Sequence, residues 1–256
     1  KSISSPFMTL PASSEIRKDP LGVCFIIAPW NYPFQLVLSP LIGAIAAGNC
    51  AVIKPSEVSS YTEALLLDLL NNNFDSNYIH VVSGGVPETT ELLKQNWDFI
   101  FFTGGSEVGK VVMKAAAEHL TPVCLELGGK NPCIVDKHIN IDVAAKRIVW
   151  GRFMNAGQTC VAADFLYLHK DIEEKFIQKL KFYTEQFFGE DPQKSKSLAR
   201  IINKRNFNRL KGFLTDGETV CGGQTDEADL FIAPTILKDV TWDSEVMKSE
   251  IFGPIL

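Results

Sequence analysis

Short apolar runs alternate with amphipathic stretches along most of this chain. Val23 to Ala28, Ala51 to Lys54, Tyr78 to Val82, Asp98 to Phe102 and Pro122 to Leu127 have strand length and are apolar on both faces. Between them, Phe34 to Ala47, Ser60 to Asn73, Pro87 to Gln95 and Ser106 to His119 carry helical periodicity. The first of these helices should stop at Gly48-Asn49, a C-terminal stop signal. The second is expected to put Leu65, Leu66, Leu69 and Leu70 on one face. Strands apolar on both sides and alternating with helices predict an α/β fold, a doubly wound parallel sheet. Ligands of such sheets bind beyond the carboxyl ends of the strands, here the turns after Ala28, Lys54, Gly84, Thr103 and Leu127.

Gly128-Gly129 interrupts the pattern, and a second α/β set follows. Strands are expected at Pro132 to Val135, Phe165 to His169 and Phe231 to Leu237, with helices at Ile141 to Met154 and Asp171 to Phe188. The polar, proline-containing residues before Leu21 read as a strand pair or an arm. No internal repeat is visible. The chain ends directly after an apolar run, so a piece of a longer polypeptide is expected.

Composition narrows the classes. Of 256 residues, 46% are hydrophobic and 21% charged, which excludes a disordered chain, a collagen or a coiled coil. A net charge of -5 gives no electrostatic case for nucleic acid or an anionic membrane as partner. The basic run from Lys194 to Lys211 reads as a solvated helix face. No secretory signal opens the chain. Pro20 to Ile53 holds no charged residue, but Pro29, Pro33 and Pro40 break it into strand, loop and helix, not a membrane span. Six scattered cysteines without C-x-x-C, and four scattered histidines, argue against a zinc site or disulfide framework. They fit reduced thiols in a cytoplasmic setting.

Five short segments carry candidate chemistry. Asp98 to Thr103 leads into Gly104-Gly105-Ser106-Glu107-Val108-Gly109-Lys110, a strand, glycine turn and helix start suited to phosphate. The same residues match a P-loop except that Val111 replaces its Ser or Thr, with Cys133 to Asp136 as the acidic strand; a dinucleotide site and an ordinary glycine turn are the other readings. Asn155-Ala-Gly-Gln-Thr-Cys160 offers a thiol among small polar residues, a nucleophile or a plain structural cysteine; the other five cysteines read as structural. Glu126, at the end of an apolar strand, is either a buried general base of raised pKa or the surface partner of Lys130. Asn31, held between Pro29 and Pro33, is either an oxyanion donor or a turn former. Lys54-Pro-Ser-Glu57 reads as an adenosine-ribose contact or, taken singly, as a solvated turn.

Together these segments resemble the NAD(P)-dependent aldehyde dehydrogenase superfamily. The matching stretches are Pro29-Trp-Asn-Tyr-Pro33, Gly48 to Glu57, Phe102 to Gly109, Leu125-Glu-Leu-Gly-Gly-Lys130, Gly157-Gln-Thr-Cys160 and Glu250-Ile-Phe-Gly-Pro254, in the family's order. Lys114 to Pro122 is most similar to the class 3 branch, which acts on fatty and aromatic aldehydes. Gly105 departs from the family, where Ser or Asn is usual. The resemblance implies a strand-pair oligomerisation arm at 1–20, a dinucleotide-binding domain at 21–127 and a catalytic domain at 128–256. It implies aldehyde oxidation with NAD, or NADP, through a thioester. Cys160 would be the nucleophile, Glu126 the base and Asn31 an oxyanion donor. Lys54, Glu57, Thr103, Gly104, Gly105, Ser106, Gly109, Leu127, Glu250 and Phe252 would hold the cofactor. It further implies a homo-oligomer, with a dimer favoured, and no metal. A P-loop NTPase and a non-catalytic nucleotide-binding fragment are the competing readings.

Overall fold

The computed structural model describes residues 2–256; Lys1, the first residue of the predicted arm, lies outside them. The chain divides into two compact units, Lys1–Glu126 and Leu127–Leu256. At its start, β1 (Ser2–Ile3) pairs antiparallel with β2 (Ser14–Glu15).

The first unit alternates β3 (Val23–Ile27), α1 (Gln35–Ala46), β4 (Cys50–Lys54), α2 (Ser60–Asn71), β5 (Ile79–Val81), α3 (Val86–Leu93), β6 (Phe99–Gly104), α4 (Ser106–Ala117) and β7 (Val123–Leu127). The strands form one sheet in the order β5-β4-β3-β6-β7, with β3, β4, β5 and β6 parallel. The strand period of two explains the double winding. Ile26 faces a core with Val37 and Leu41 of α1 and Leu66 and Leu70 of α2. Phe25 and Ile27 face the other side, with Leu93 of α3 and Val112 and Ala116 of α4. Trp97 stacks on Phe25 with ring centroids 4.7 Å apart. The leucine stripe of α2 is narrower than expected: Leu65 is 52% exposed and Leu69 41%, while Leu66 and Leu70 are buried. Adjacent helical positions diverge by about 100°, so of the two pairs four apart only Leu66 and Leu70 point squarely at the sheet.

The second unit contains β8 (Pro132–Val135), α5 (Ile141–Phe153), β9 (Phe165–Leu168), α6 (Glu173–Phe188), α7 (Lys204–Phe213), β10 (Glu218–Cys221), β11 (Thr225–Asp226), β12 (Phe231–Ile232), β13 (Ile236–Lys238) and the short α8 (Glu245–Lys248). β8 and β9 are parallel. The core joins Ala145, Val149 and Phe153 of α5, Phe176 and Leu180 of α6, and Phe207, Leu210 and Phe213 of α7. The expected strand from Phe231 to Leu237 is two strands. Pro234 lacks the N–H that a continuous ladder needs, so β12 pairs with β11 and β13 with β10. The basic run is not a uniformly solvated face. Arg200 pairs with Asp229 at 2.9 Å, and Lys204 with Glu227. Arg209 turns inward and donates to the Ile251 carbonyl at 2.7 Å. No helix among the described residues is long and apolar enough to cross a membrane.

Candidate active site

In the first unit, Ile27 of β3 is in register with Lys54 of β4 and Phe102 of β6, so three strand ends share one sheet edge. The loops leaving that edge carry the predicted polar groups. Asn31 lies in the turn between β3 and α1. Lys54 is buried, only 2% exposed, which corrects its reading as part of a solvated turn. Its ammonium donates to the Pro55 carbonyl and lies 3.5 Å from a Glu57 carboxylate oxygen and 4.0 Å from one of Glu63. The two acidic neighbours keep the buried charge paired, while the Glu57 side chain is still 46% exposed and available to a ligand.

Thr103 and Gly104 close β6, and Gly105 is the N-cap of α4, with nothing within 4 Å of where its Cβ would stand. Ser106 already begins the helix, and Gly109 is buried within it. A P-loop needs its backbone to wrap a phosphate between the first glycine and the lysine. Here that stretch is mostly helix, and Lys110 points to solvent, paired with Glu107 at 2.7 Å. β8, the supposed acidic strand, pairs with β9 and not with the five-stranded sheet. The NTPase reading is therefore set aside. The open helix start keeps its unsatisfied first-turn N–H groups and dipole, which suits a pyrophosphate.

Glu126 is the penultimate residue of β7 and is exposed, so the burial expected for it is absent. The alternative surface pair with Lys130 is not formed either. Lys130 is half-buried, donates to the Val246 carbonyl and lies 3.8 Å from Asp164.

In the second unit, α5 is followed by three successive left-handed residues, Asn155 (φ 53°), Ala156 (φ 52°) and Gly157 (φ 70°). Two of them are not glycine, at a cost of about 1–2 kcal/mol each. Gln158 holds this turn from within. It is 3% exposed, donates to the Asn155 and Arg200 carbonyls at 3.0 and 3.1 Å, and accepts from the Ile202 N–H at 2.9 Å. The turn delivers Cys160, which is half-buried and not sealed in hydrocarbon. The Asn131 amide donates to the Cys160 carbonyl at 2.7 Å and to that of Ala162 at 3.1 Å. Burial pushes the thiols of Cys24, Cys133 and Cys221 up, away from the nucleophilic form. Partial burial alone does not single out Cys160, because Cys50 and Cys124 share it; the strained, pinned turn does.

The loop bearing Glu250 and Phe252 lies against this turn. A Cβ on Gly157 would fall 2.1 Å from the Gly253 carbonyl oxygen, and one on Gly128 would fall 1.9 Å from a Glu250 oxygen. Phe252 also takes a left-handed φ, 50°. Burial pushes the Glu250 carboxyl up to about 7. Asp164 adds to the rise, and the Gly129 N–H, Arg152 and Arg209 oppose it. One Glu250 oxygen is buried with no hydrogen-bond partner among the described residues. An orphaned acceptor beside a cradle that only glycine fits suits a hydroxylated ligand such as a ribose. Leu127, at the end of β7, is 39% exposed. Among the described residues, no group of His, Cys, Asp or Glu side chains is arranged to hold a metal ion.

Sequence reading gave no role to Asn131, Arg152, Gln158 or Asp164, all of which shape this site. The available signal was Arg152, a charge in helical register with the apolar Ala145 and Val149.

The chain is similar in sequence and fold to known proteins. The sequence pattern of the aldehyde dehydrogenase family matches residues 5–256. The chain is 52% identical over 241 residues to the dimeric NADP-preferring aldehyde dehydrogenase of Rattus norvegicus, covering 94% of this chain and 53% of that protein. It is 50% identical to aldehyde dehydrogenase family 3 member B2 of Mus musculus, covering 99% and 53% respectively. Among solved structures, Staphylococcus aureus AldH in a substrate-bound state superposes with a TM-score of 0.96 at 47% identity, over 100% of this chain and 56% of the other. A Mycobacterium tuberculosis aldehyde dehydrogenase complexed with NAD+ gives 0.84 at 29% identity, over 93% and 51%. The chain thus spans about half the length of the curated relatives it matches.

Proposed function

The chain belongs to the aldehyde dehydrogenase family, and from that premise we propose that its protein oxidises an aldehyde to a carboxylic acid with NAD+ or NADP+, Cys160 being the nucleophile. The observation that carries this reading is the left-handed Asn155–Gly157 turn, which presents a half-buried thiol pinned through its own carbonyl by Asn131. Backbone strain kept beside a half-buried thiol suits a reactive group held in one place.

In this reading the Cys160 thiolate adds to the aldehyde carbon, forming a C–S bond and a thiohemiacetal oxyanion. The Asn31 amide and the Cys160 backbone N–H donate to that oxygen. A bound nicotinamide supplies the hydride acceptor. Loss of hydride from the carbon leaves a thioester on Cys160. Glu126, exposed at the end of β7, takes the proton of a water as that water attacks, and the C–S bond breaks to release acid and thiol. Lys54 and Glu57 hold the adenosine ribose, and Thr103, Gly104, Gly105, Ser106 and Gly109 hold the pyrophosphate at the start of α4. Leu127, Glu250 and Phe252 hold the nicotinamide half. Glu57 favours NAD+, because a 2′-phosphate would face its charge; the adjacent Lys54 ammonium softens the preference and lets NADP+ bind. A homodimer in the cytoplasm completes the proposal.

The test is Cys160→Ser. It should abolish NAD+ reduction by a panel of fatty and aromatic aldehydes while nucleotide binding, read by fluorescence titration, is retained. Turnover surviving in the variant would overturn the assignment.

A further inference from the structure

We propose that Arg152 and Asp164 form a buried positioning pair that locks the loop carrying Cys160 to the loop carrying Glu250 and Phe252. The proposal deepens the dehydrogenase reading and rests on it for its kinetic arm only.

Arg152 is 1% exposed and Asp164 2%. They meet at 2.9 Å. The remaining bonds of the pair run to backbone, and to both loops. Arg152 donates to the Ala163 carbonyl at 3.0 Å on the cysteine side and to the Gly253 carbonyl on the other. Asp164 accepts the Ile251 N–H at 3.3 and 3.4 Å, and its own N–H donates to the Asn131 carbonyl at 2.9 Å. Asn131 in turn holds the carbonyls of Cys160 and Ala162. Lys130, 3.8 Å from Asp164, reaches the Val246 carbonyl in α8, the helix that leads into the second loop.

Stability alone does not explain a pair at this depth. Desolvating two charges roughly cancels their attraction, and an apolar pair of equal volume commonly serves folding as well or better. An apolar pair, however, leaves the Ala163 carbonyl and the Ile251 N–H without these partners, removes the Arg152 bond from the Gly253 carbonyl, and leaves the two loops untied. A planar guanidinium presents its donors in a fixed fork that meets the carboxylate and both loops' carbonyls in one orientation, whereas an ammonium is a rotatable point charge on a flexible stem. The pair therefore sets the distance between the sulfur and the groups assigned to the nicotinamide, without touching either ligand.

The experiment compares Asp164→Asn and Arg152→Lys with wild type in the protein that carries this chain. Arg152→Lys keeps the buried charge and serves if Asp164→Asn fails to fold. Amide hydrogen exchange is read over 158–166 and 248–254, with 141–149 of α5 as the internal reference. Both loops should lose protection together while α5 keeps its own. In parallel, kcat per folded molecule should fall about 100-fold, the effect of an ångström-scale misplacement, with KM for the aldehyde changed less than about threefold. A purely structural role would lower the folded fraction and leave kcat per folded molecule unchanged. Unchanged exchange, loosening of one loop alone, or an unchanged kcat overturns the proposal. A wild-type protein without NAD+-dependent oxidation would instead refute the dehydrogenase reading, and the exchange data would still decide the pair.

Discussion

Glu250 makes the folding stability of this protein depend on pH in an unusual direction. Its carboxyl is pushed up to about 7 from 4.5, chiefly by burial and then by Asp164. In the unfolded chain it ionises near pH 4.5, while in the folded protein it holds its proton until about 7. Below pH 4.5 both states are protonated and the group is neutral to stability. Between 4.5 and 7 the folded state binds the extra proton, so stability falls as pH rises, then levels off above 7. The shift of about 2.5 units sets a ceiling of about 3.4 kcal/mol at 1.36 kcal/mol per unit. The side chain is only partly buried, and water screening reduces the expected cost to roughly 1–2 kcal/mol. Glu250→Gln keeps the shape, can still accept the Gly129 N–H, and has no proton to lose. Urea unfolding of both proteins at pH 5, 6, 7 and 8, followed by tryptophan fluorescence, isolates the effect, because every other titrating group is shared. The variant should gain on wild type by roughly 1–2 kcal/mol between pH 5 and pH 8. A difference that stays flat with pH, or grows in favour of wild type as pH rises, would refute the argument that Glu250 is held protonated by its surroundings.

Other outcomes follow from single positions. Gly157→Ala combines a left-handed φ with a Cβ 2.1 Å from the Gly253 carbonyl; thermal and urea unfolding should show a loss of about 2–5 kcal/mol, the sum of backbone strain and overpacking. Leu66→Ala should cost about 2–5 kcal/mol in urea unfolding, whereas Leu65→Ala, on the solvent side of the same helix, should stay within about 0.5 kcal/mol. Glu57→Gln removes the carboxylate from the proposed ribose site, and the ratio of kcat/KM for NADP+ to that for NAD+ should rise about fivefold, the worth of about 1 kcal/mol between charges in water-like surroundings; an unchanged ratio would remove Glu57 from cofactor choice.

How much of this was legible in the sequence depended on whether the physics was local. The strands of the first unit, and the helices between them, follow from apolar periodicity with ends displaced by at most two residues, since fraying ends are set by individual hydrogen bonds. The phosphate-type turn at Gly104–Ser106 was legible as a turn. Whether it wraps as a P-loop or opens straight into a helix was not, because that depends on Ser106 already taking helical geometry. Pro234 announced the break between β12 and β13, yet the surrounding β-branched residues outweighed it in the reading of Phe231 to Leu237. For Glu126 the apolar strand left a buried base and a surface partner of Lys130 equally open; it is exposed together with Leu127, so its place at the end of β7 and not alternation along the strand decides its exposure.

The part no local pattern reveals is the group of side chains that bonds backbone far away in the chain. Asn131 looks like a turn residue after two glycines, yet its amide reaches Cys160, 29 positions on. Asp164 lies four residues past the cysteine, and its partners are a helix-borne arginine and the N–H of Ile251, 87 positions away. Only Arg152 carried a usable sign. A charge in phase with Ala145 and Val149 must either snorkel to the surface or be satisfied inside. It lies one residue from the end of α5, near enough to the surface for a long side chain to escape. That it stays in, with one guanidinium nitrogen left without a partner among the described residues, means the bonds it makes to two carbonyls and a carboxylate outweigh the one it forgoes. A core that tolerates an orphaned arginine donor is organised around what that arginine holds in register, and here that is the nucleophile's loop against the loop of Glu250.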